Sequence, residues 1–306
     1  MKIVFLGTPE FAVPSLRALN EKYEIVLVVS QPNREKKKGK LIPTPVAECA
    51  SELGLKLIQP EHIKDEYEYL KELGADAMVT AAYGQYIPEK ILKLFKKCIN
   101  VHGSYLPYHR GGAPIQRCLI EGDEFTGVTI MEMAKRLDAG KIYSLSRYEI
   151  EEDDNSTSLF QKLSIIGRDL LISSIDDIYS EANLGTPQDE SLATYSPNIA
   201  PEEEEIIITR SSREIINQIR GLAMEPGAYL RVNGIKLKVF KAAELMYEGN
   251  EAPGTVIQVK KGIAIKTADS AISLEQVLMP GKKIMSGRDF SNGQKIFTLG
   301  SSIISE

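Results

Sequence analysis

The sequence predicts an α/β protein: a doubly wound, mostly parallel sheet in the larger N-terminal part, and a smaller antiparallel β-barrel behind it. Three observations predict this. Short apolar runs alternate with helix-period segments through the first half. That periodicity lapses between Ala182 and Glu205. Beyond it, Asn233-Gly234 stands between two strand-like runs in a β-rich final third, a strong short-range hairpin signal. A chain of 306 residues exceeds one typical domain. The boundaries are set at 1–185 and 206–306, with 186–205 as linker.

Taken in order, the runs at 2–6 (KIVFL), 24–29 (EIVLVV), 76–81 (DAMVTA) and 98–101 (CINV) are apolar at successive positions, the mark of strands buried on both faces. Residues 11–21, 45–53, 62–73 and 88–96 fit helices between them. Ile63, Tyr67 and Leu70 share a face of the third, and Pro14 falls in the first turn of the first, where proline does least harm. A helix over 156–180, carrying Leu159, Leu163, Ile166, Leu170 and Ile178, closes the first domain. The stretch NLGTPQDESLATYSPNIAPEEEE has no apolar period and is dense in Glu and Pro, as a linker would be. A helix over 211–222 follows, then the hairpin and strand-like runs at 254–259, 262–267 and 271–278.

Composition narrows the function classes. Hydrophobic residues at 43% and charged residues at 26% exclude global disorder. Cys49, Cys98 and Cys118 form no CxxC pair, and His62, His102 and His109 stand at no metal-ligand spacing, so a reducing compartment and no metal are expected. The opening MKIVFLG is too short for a signal peptide, and no run of about 18 apolar residues exists, which makes the cytoplasm the expected location. The net charge of -5 is uneven: 206–306 carries 14 basic and 9 acidic residues, leaving the rest strongly acidic. A basic C-terminal third fits a polyanionic partner, and equally a solvated lysine-rich surface. The first βα turn, Gly7-Thr8-Pro9-Glu10-Phe11, lacks the GxGxxG spacing, and no GxxxxGK[ST] occurs, which disfavours nicotinamide dehydrogenases and P-loop NTPases.

Chemistry concentrates in CINVHGSYLPYHRGGAPIQR, 98–117. Asn100 and His102 alternate onto one face at the carboxyl end of a strand, where ligands gather in open α/β sheets. An amide and an imidazole there are suitable donors to a developing oxyanion, and the imidazole can move protons. A histidine at a strand end is also a common structural hydrogen-bonding residue. Asp138, in LDAG between two strand-like runs, could orient that histidine or serve as an Asx-type turn residue. The loop 34–40 packs Arg34, Lys36, Lys37, Lys38 and Lys40 into seven positions, either a solvated face or a phosphate contact.

Together, Asn100-Val101-His102, Leu106-Pro107 with Arg110-Gly111-Gly112-Ala113-Pro114-Ile115-Gln116, and Leu137-Asp138-Ala139-Gly140 resemble the 10-formyltetrahydrofolate-dependent formyltransferases. The likeness extends from FLGTPEFAVPSL through SQPNR and PTPV to PGAYLRVNGIKLKVFKA and PGKKIMSGRDF. It implies a Rossmann-like catalytic domain with an OB-like C-terminal domain that binds tRNA, and 10-formyltetrahydrofolate as formyl donor and co-substrate. The acceptor it implies is the α-amino group of methionyl initiator tRNA, giving N-formylmethionyl-tRNA for translation initiation. The implied catalytic set is Asn100 and protonated His102 on the oxyanion, with Asp138 pairing His102 and assisting proton movement. The implied folate contacts are Tyr83, Gly84, Gln85, Tyr86, Ile87 and Pro88, then Ser104, Leu106 and Pro107, and the backbone of Ala139 and Gly140. The basic loop at 34–40 is implied to meet the acceptor arm. A monomer, with no membrane partner, is expected. Tyr105, His109 and Met224-Glu225 depart from the family pattern and bear on the tRNA-facing surface. Two other functions stay open: formylation of an amino sugar nucleotide, and a catalytically silent RNA-binding protein.

Overall fold

The computed structural model describes residues 1–36 and 40–304. By backbone proximity they form two compact units, one of Met1–Pro114, Phe125–Glu149 and Leu159–Pro197, the other of Ile115–Glu124, Ile150–Ser158 and Asn198–Glu306.

In the first unit, β1 (Lys2–Gly7) leads through α1 (Val13–Lys22) to β2 (Glu24–Val29). A small hairpin, β3 (Arg34–Lys36) and β4 (Lys40–Ile42), precedes α2 (Pro45–Glu52) and β5 (Leu57–Ile58). Then come α3 (Tyr67–Glu72), β6 (Ala77–Ala81), the single turn α4 (Glu89–Leu92) and β7 (Lys97–His102). Helix α5 (Pro114–Glu121) groups almost wholly with the second unit. Strands β8 (Phe125–Glu132) and β9 (Ile142–Glu149) and the long helix α6 (Ser156–Tyr179) complete the series.

The seven strands run β5-β2-β1-β6-β7-β8-β9. The first five are mutually parallel, and β8 runs antiparallel to both β7 and β9. The chain winds outward from β1 in one direction, then restarts at β6 in the other, so the strand order reverses between β1 and β6. That reversal opens a crevice at the carboxyl ends. Both faces of the central strands are covered. Val4, Leu6, Leu27, Val29 and Met78 pack with Ile63, Leu70, Ile91 and Phe95. On α6, a Cβ at Gly167 would stand 2.8 Å from Val101 and 3.2 Å from Val128, so the helix lies close on β7 and β8. Burial of this kind stabilises by about 1.5–3 kcal/mol for each large aliphatic side chain. The helix predicted over 88–96 is cut to Glu89–Leu92 because β7 already begins at Lys97.

In the second unit, α7 (Ser212–Gly221) starts from a capping box, with Ser211 and Glu214 each bonding the other's backbone N–H. Strands β10 (Tyr229–Val232), β11 (Ile235–Leu245), β12 (Val256–Gln258), β13 (Ile263–Lys266) and β14 (Ala271–Leu278) form an antiparallel sheet in the order β10-β11-β14-β13-β12. β15 (Met285–Ser286) pairs with β14, and α8 (Gly287–Gly293) follows. Asn233 and Gly234, both at positive φ, turn β10 into β11 as predicted. Ile215, Ile219, Leu230, Leu237, Val239, Ile265, Ile272, Leu274, Val277 and Phe290 share one core. Segment 150–158 joins this unit through Arg220, whose guanidinium donates to the carbonyls of Asp154 (2.7 Å) and Glu151 (2.8 Å). Among the described residues no helix is long and apolar enough to cross a membrane.

Candidate active site

The crevice lies within the first unit. Asn100 and His102 are the fourth and last residues of β7, two apart on one face. Parallel register sets Thr80 beside Asn100, and the Thr80 hydroxyl donates to Asn100 Oδ1 at 2.7 Å. That bond occupies the amide oxygen, which leaves the Nδ2 hydrogens as the donors the amide can offer. Nothing in the sequence singles out Thr80, although the DAMVTA run that carries it is the strand next to CINV.

His102 is buried at 6% exposure. Its Nε2 lies 3.0 Å from the His109 carbonyl oxygen. A carbonyl only accepts, so Nε2 carries the hydrogen. The other ring nitrogen, Nδ1, stands 3.7 Å from Asp138 Oδ2. The same carboxylate oxygen accepts the Gly111 backbone N–H at 2.9 Å. Asp138 itself sits at φ +49°, a left-handed conformation that non-glycine residues hold only when their surroundings enforce it. The three residues singled out in the sequence thus converge on one end of the sheet, although Asp138 comes from the β8–β9 connection.

Nearby thiol chemistry is closed off. Cys98, two residues before Asn100, donates to the Leu92 carbonyl, and burial pushes its pKa up to about 12.

The segment 82–88 crosses the carboxyl end of β6. Ala82 and Gly84 both have positive φ. A side chain at Gly84 would collide with Gln31 Nε2, at 2.3 Å from its Cβ. Thr8 Oγ1 and Gln31 Nε2 both donate to the Tyr83 carbonyl at 2.9 Å, tying the β1 and β2 ends to this loop. Gln85 accepts the Ile63 N–H at 3.0 Å, Ile87 belongs to the core and Tyr86 is 69% exposed. The Tyr83 hydroxyl is buried with no hydrogen-bond partner among the described residues, and burial, with Glu66 adding, pushes its pKa up. Ser104 and Leu106 are fully buried; the Ser104 hydroxyl donates to the Tyr108 carbonyl, and its own carbonyl accepts from Thr129. The Leu106 N–H in turn donates to the Thr129 hydroxyl, so both residues are bonded inward.

Of the basic set, Lys37 and Lys38 lie outside the described residues, and Arg34, Lys36 and Lys40 fall on the β3–β4 hairpin. Among the departures, Tyr105 packs edge-on to Phe125 at 5.8 Å, and Met224 is half exposed at φ +62°. His109, at φ +59°, is buried with its Nδ1 2.7 Å from Ser196 Oγ. Gln188 and Arg110 also reach the site, and neither was predicted to act there. Gln188 Nε2 donates to the carbonyls of Asp138 (2.8 Å) and Gly140 (2.7 Å).

Residues 1–175 match the formyl transferase family, and residues 198–295 match the formyl transferase C-terminal domain. The chain is 43% identical to a methionyl-tRNA formyltransferase of Streptococcus pneumoniae over 298 residues, 95% of each chain. Among solved structures it resembles an N-formyltransferase from Helicobacter canadensis in complex with folinic acid and dTDP-3-aminofucose, with a TM-score of 0.70 at 19% identity, covering 91% of this chain and all of that one. It also resembles HypX from Aquifex aeolicus in complex with tetrahydrofolic acid, with a TM-score of 0.64 at 16% identity. That likeness covers 94% of this chain and about half, 46%, of HypX.

Proposed function

The chain belongs to the formyl transferase family, and from that premise we propose that it moves the formyl group of 10-formyltetrahydrofolate onto the α-amino group of methionyl initiator tRNA. The observation that carries the acceptor is the match at 43% identity over 95% of both chains, which includes the C-terminal unit. The likeness to the sugar-modifying enzyme, at 19% identity, speaks for the fold alone.

The geometry suits this chemistry. The carrier supplies an activated formyl carbon bonded to nitrogen, and an α-amino group with a pKa near about 8 needs little activation. Orientation and stabilisation of the oxygen charge then remain for the protein. Asn100, its amide oxygen held by Thr80, offers Nδ2–H to that oxygen. His102, with Nε2 anchored on the His109 carbonyl, presents Nδ1 on the side of Asp138. In the proposed cycle the attacking nitrogen forms its bond to the formyl carbon and gives up one proton toward Asp138 and His102. The bond from that carbon to the carrier nitrogen breaks, and the leaving nitrogen takes a proton back. The Tyr83–Pro88 loop and the backbone of Ala139 and Gly140 are proposed to flank the pterin. Support comes from the left-handed backbone at Ala82 and Gly84 and from the buried Tyr83 hydroxyl, which has no hydrogen-bond partner among the described residues. The basic residues of 34–40 are proposed to meet the acceptor arm.

The test is formyl transfer from radiolabelled carrier, run separately on methionyl-tRNA and on an amino sugar nucleotide. Formylmethionyl-tRNA as the product is expected. Transfer to the sugar alone would reassign the acceptor, and transfer to neither would leave only an RNA-binding role.

A further inference from the structure

The polar segment 186–196 runs back through the first unit and touches the catalytic constellation twice. It enters at Thr186, which exchanges both backbone bonds with Ile142 at the start of β9 (2.9 and 2.8 Å). Two residues on, Gln188 lies under the loop bearing Asp138. Its amide nitrogen uses both hydrogens, on the carbonyls of Asp138 and Gly140. Its amide oxygen accepts Nε (3.0 Å) and Nη2 (2.8 Å) of Arg110. Arg110 is a charged side chain at 1% exposure, and Glu190, from the same segment, accepts its remaining fork at 3.0 and 3.2 Å. A buried guanidinium needs such partners, since leaving one unpaired is costly.

The segment then pairs alongside Arg110. Thr194 O accepts the Arg110 N–H at 2.9 Å, and Ser196 N–H donates to Arg110 O at 2.7 Å. Thr194 Oγ1 accepts the His109 N–H at 2.8 Å, and Ser196 Oγ meets His109 Nδ1 at 2.7 Å. His109 is the residue whose carbonyl anchors His102, and Gly111, next to Arg110, is the one whose N–H holds Asp138. A single strand of chain therefore fixes the position of both members of the His102–Asp138 pair, from opposite sides.

We propose that 186–196 is a positioning strap for formyl transfer, with Gln188 as its key residue, acting through Asp138. The inference rests on the proposed reaction. Asp138 holds a left-handed φ, and the strap supplies bonds that enforce it. Past Asp138 the chain packs close on β8, where a Cβ at Gly140 would stand 1.9 Å from the Glu132 carbonyl oxygen. Without the Gln188 donors, two carbonyls on this loop lose their partner and the carboxylate drifts from Nδ1. Misplacement of about 1 Å in such a pair costs up to about 100-fold in rate.

The experiment is a double-mutant cycle of Gln188→Leu and Asp138→Asn, read as kcat with methionyl-tRNA. It is accompanied by hydrogen–deuterium exchange of the peptides spanning 107–113 and 136–142 in the full chain. Gln188→Leu should lower kcat by about 10-fold or more, with KM for methionyl-tRNA within about twofold. In the Asp138→Asn background it should add less than about twofold, because the residue it positions is already gone. Exchange should rise in both peptides, and Gln188→Asn should recover less than wild type but more than Leu. Unchanged kcat, or a loss that multiplies fully in both backgrounds, would overturn the proposal. If wild type formylates no tRNA, the functional reading fails instead. Exchange then still decides the strap: unaltered protection in Gln188→Leu refutes it.

Discussion

The carboxyl end of the seven-stranded sheet and the core of the C-terminal unit are built on opposite principles. The first is polar, with residues in left-handed backbone at Ala82, His109 and Asp138, and with the His109 carbonyl and the Asp138 carboxylate and carbonyl each held by a named partner. The second is an aliphatic and aromatic core whose cap and hairpin obey ordinary local rules. Regular packing is a means of holding a surface; specified hydrogen bonds are a means of aiming atoms. Substitutions in the first region should therefore alter rate, and those in the second should alter stability or acceptor affinity.

The largest expected effect tests the second half of that contrast. Phe290, wholly buried and edge-on to Phe297 at 6.0 Å, should cost about 3–5 kcal/mol when changed to Ala. Denaturant unfolding should register the loss, while folate-carrier binding stays unchanged in conditions where the protein remains folded. A parallel fall in carrier affinity would break the separation between the two regions.

Next is the catalytic pair. His102→Ala should lower kcat by about 100-fold or more with the fold intact, the scale of losing a positioned proton-transfer group. Asp138→Asn should lower kcat strongly without a similar loss of carrier affinity. A variant that binds the carrier worse but turns over normally would make Asp138 a turn residue.

Smaller, and graded, is the response of the basic segment 34–40. Replacing Arg34, Lys36, Lys37, Lys38 and Lys40 with Ala should raise KM for tRNA. The slope of log K against log salt should flatten by about 0.7–0.9 for each phosphate that is no longer neutralised. An unchanged slope would return these residues to a solvated face.

The smallest effect is electrostatic. The Arg117 guanidinium and the Ala200 N–H hold the Glu203 carboxyl down to about 2. Its folded pKa is depressed, so its stabilisation is present above the unfolded carboxylate value and disappears as pH falls through the folded one. With 41% of the Glu203 side chain exposed, screening keeps the contribution below about 1 kcal/mol. Glu203→Gln should lower Tm slightly near neutrality, and the difference should vanish in strong acid.

Much of the molecule is legible in its sequence because it is local. The strands at 2–6, 24–29, 76–81 and 98–101 stand out by double-sided burial, and the same alternation puts Asn100 with His102. Asn233-Gly234 declares its turn. Asp138 is ambiguous alone, since a carboxylate before Ala139-Gly140 looks like any Asx turn; only its 3.7 Å approach to His102 distinguishes it. Helix α5 is hidden behind a glycine- and proline-rich run. Gln188, Thr194 and Ser196 carry no signal at all. Their partners lie 48 to 87 residues away, and polar residues without periodicity look alike whether solvated or bonded.

That separation has a consequence for synthesis. Asp138 leaves the ribosome 50 residues ahead of the glutamine that steadies its loop. At about 5–20 residues per second, the nascent chain carries a half-built catalytic centre for roughly 3–10 s. During that interval Arg110 lacks both the Gln188 amide oxygen that accepts its hydrogen bonds and the Glu190 carboxylate that balances its charge. On the proposed strap, the Asp138 loop gains its full set of bonds only when residues 186–196 arrive, and not when Asp138 itself does.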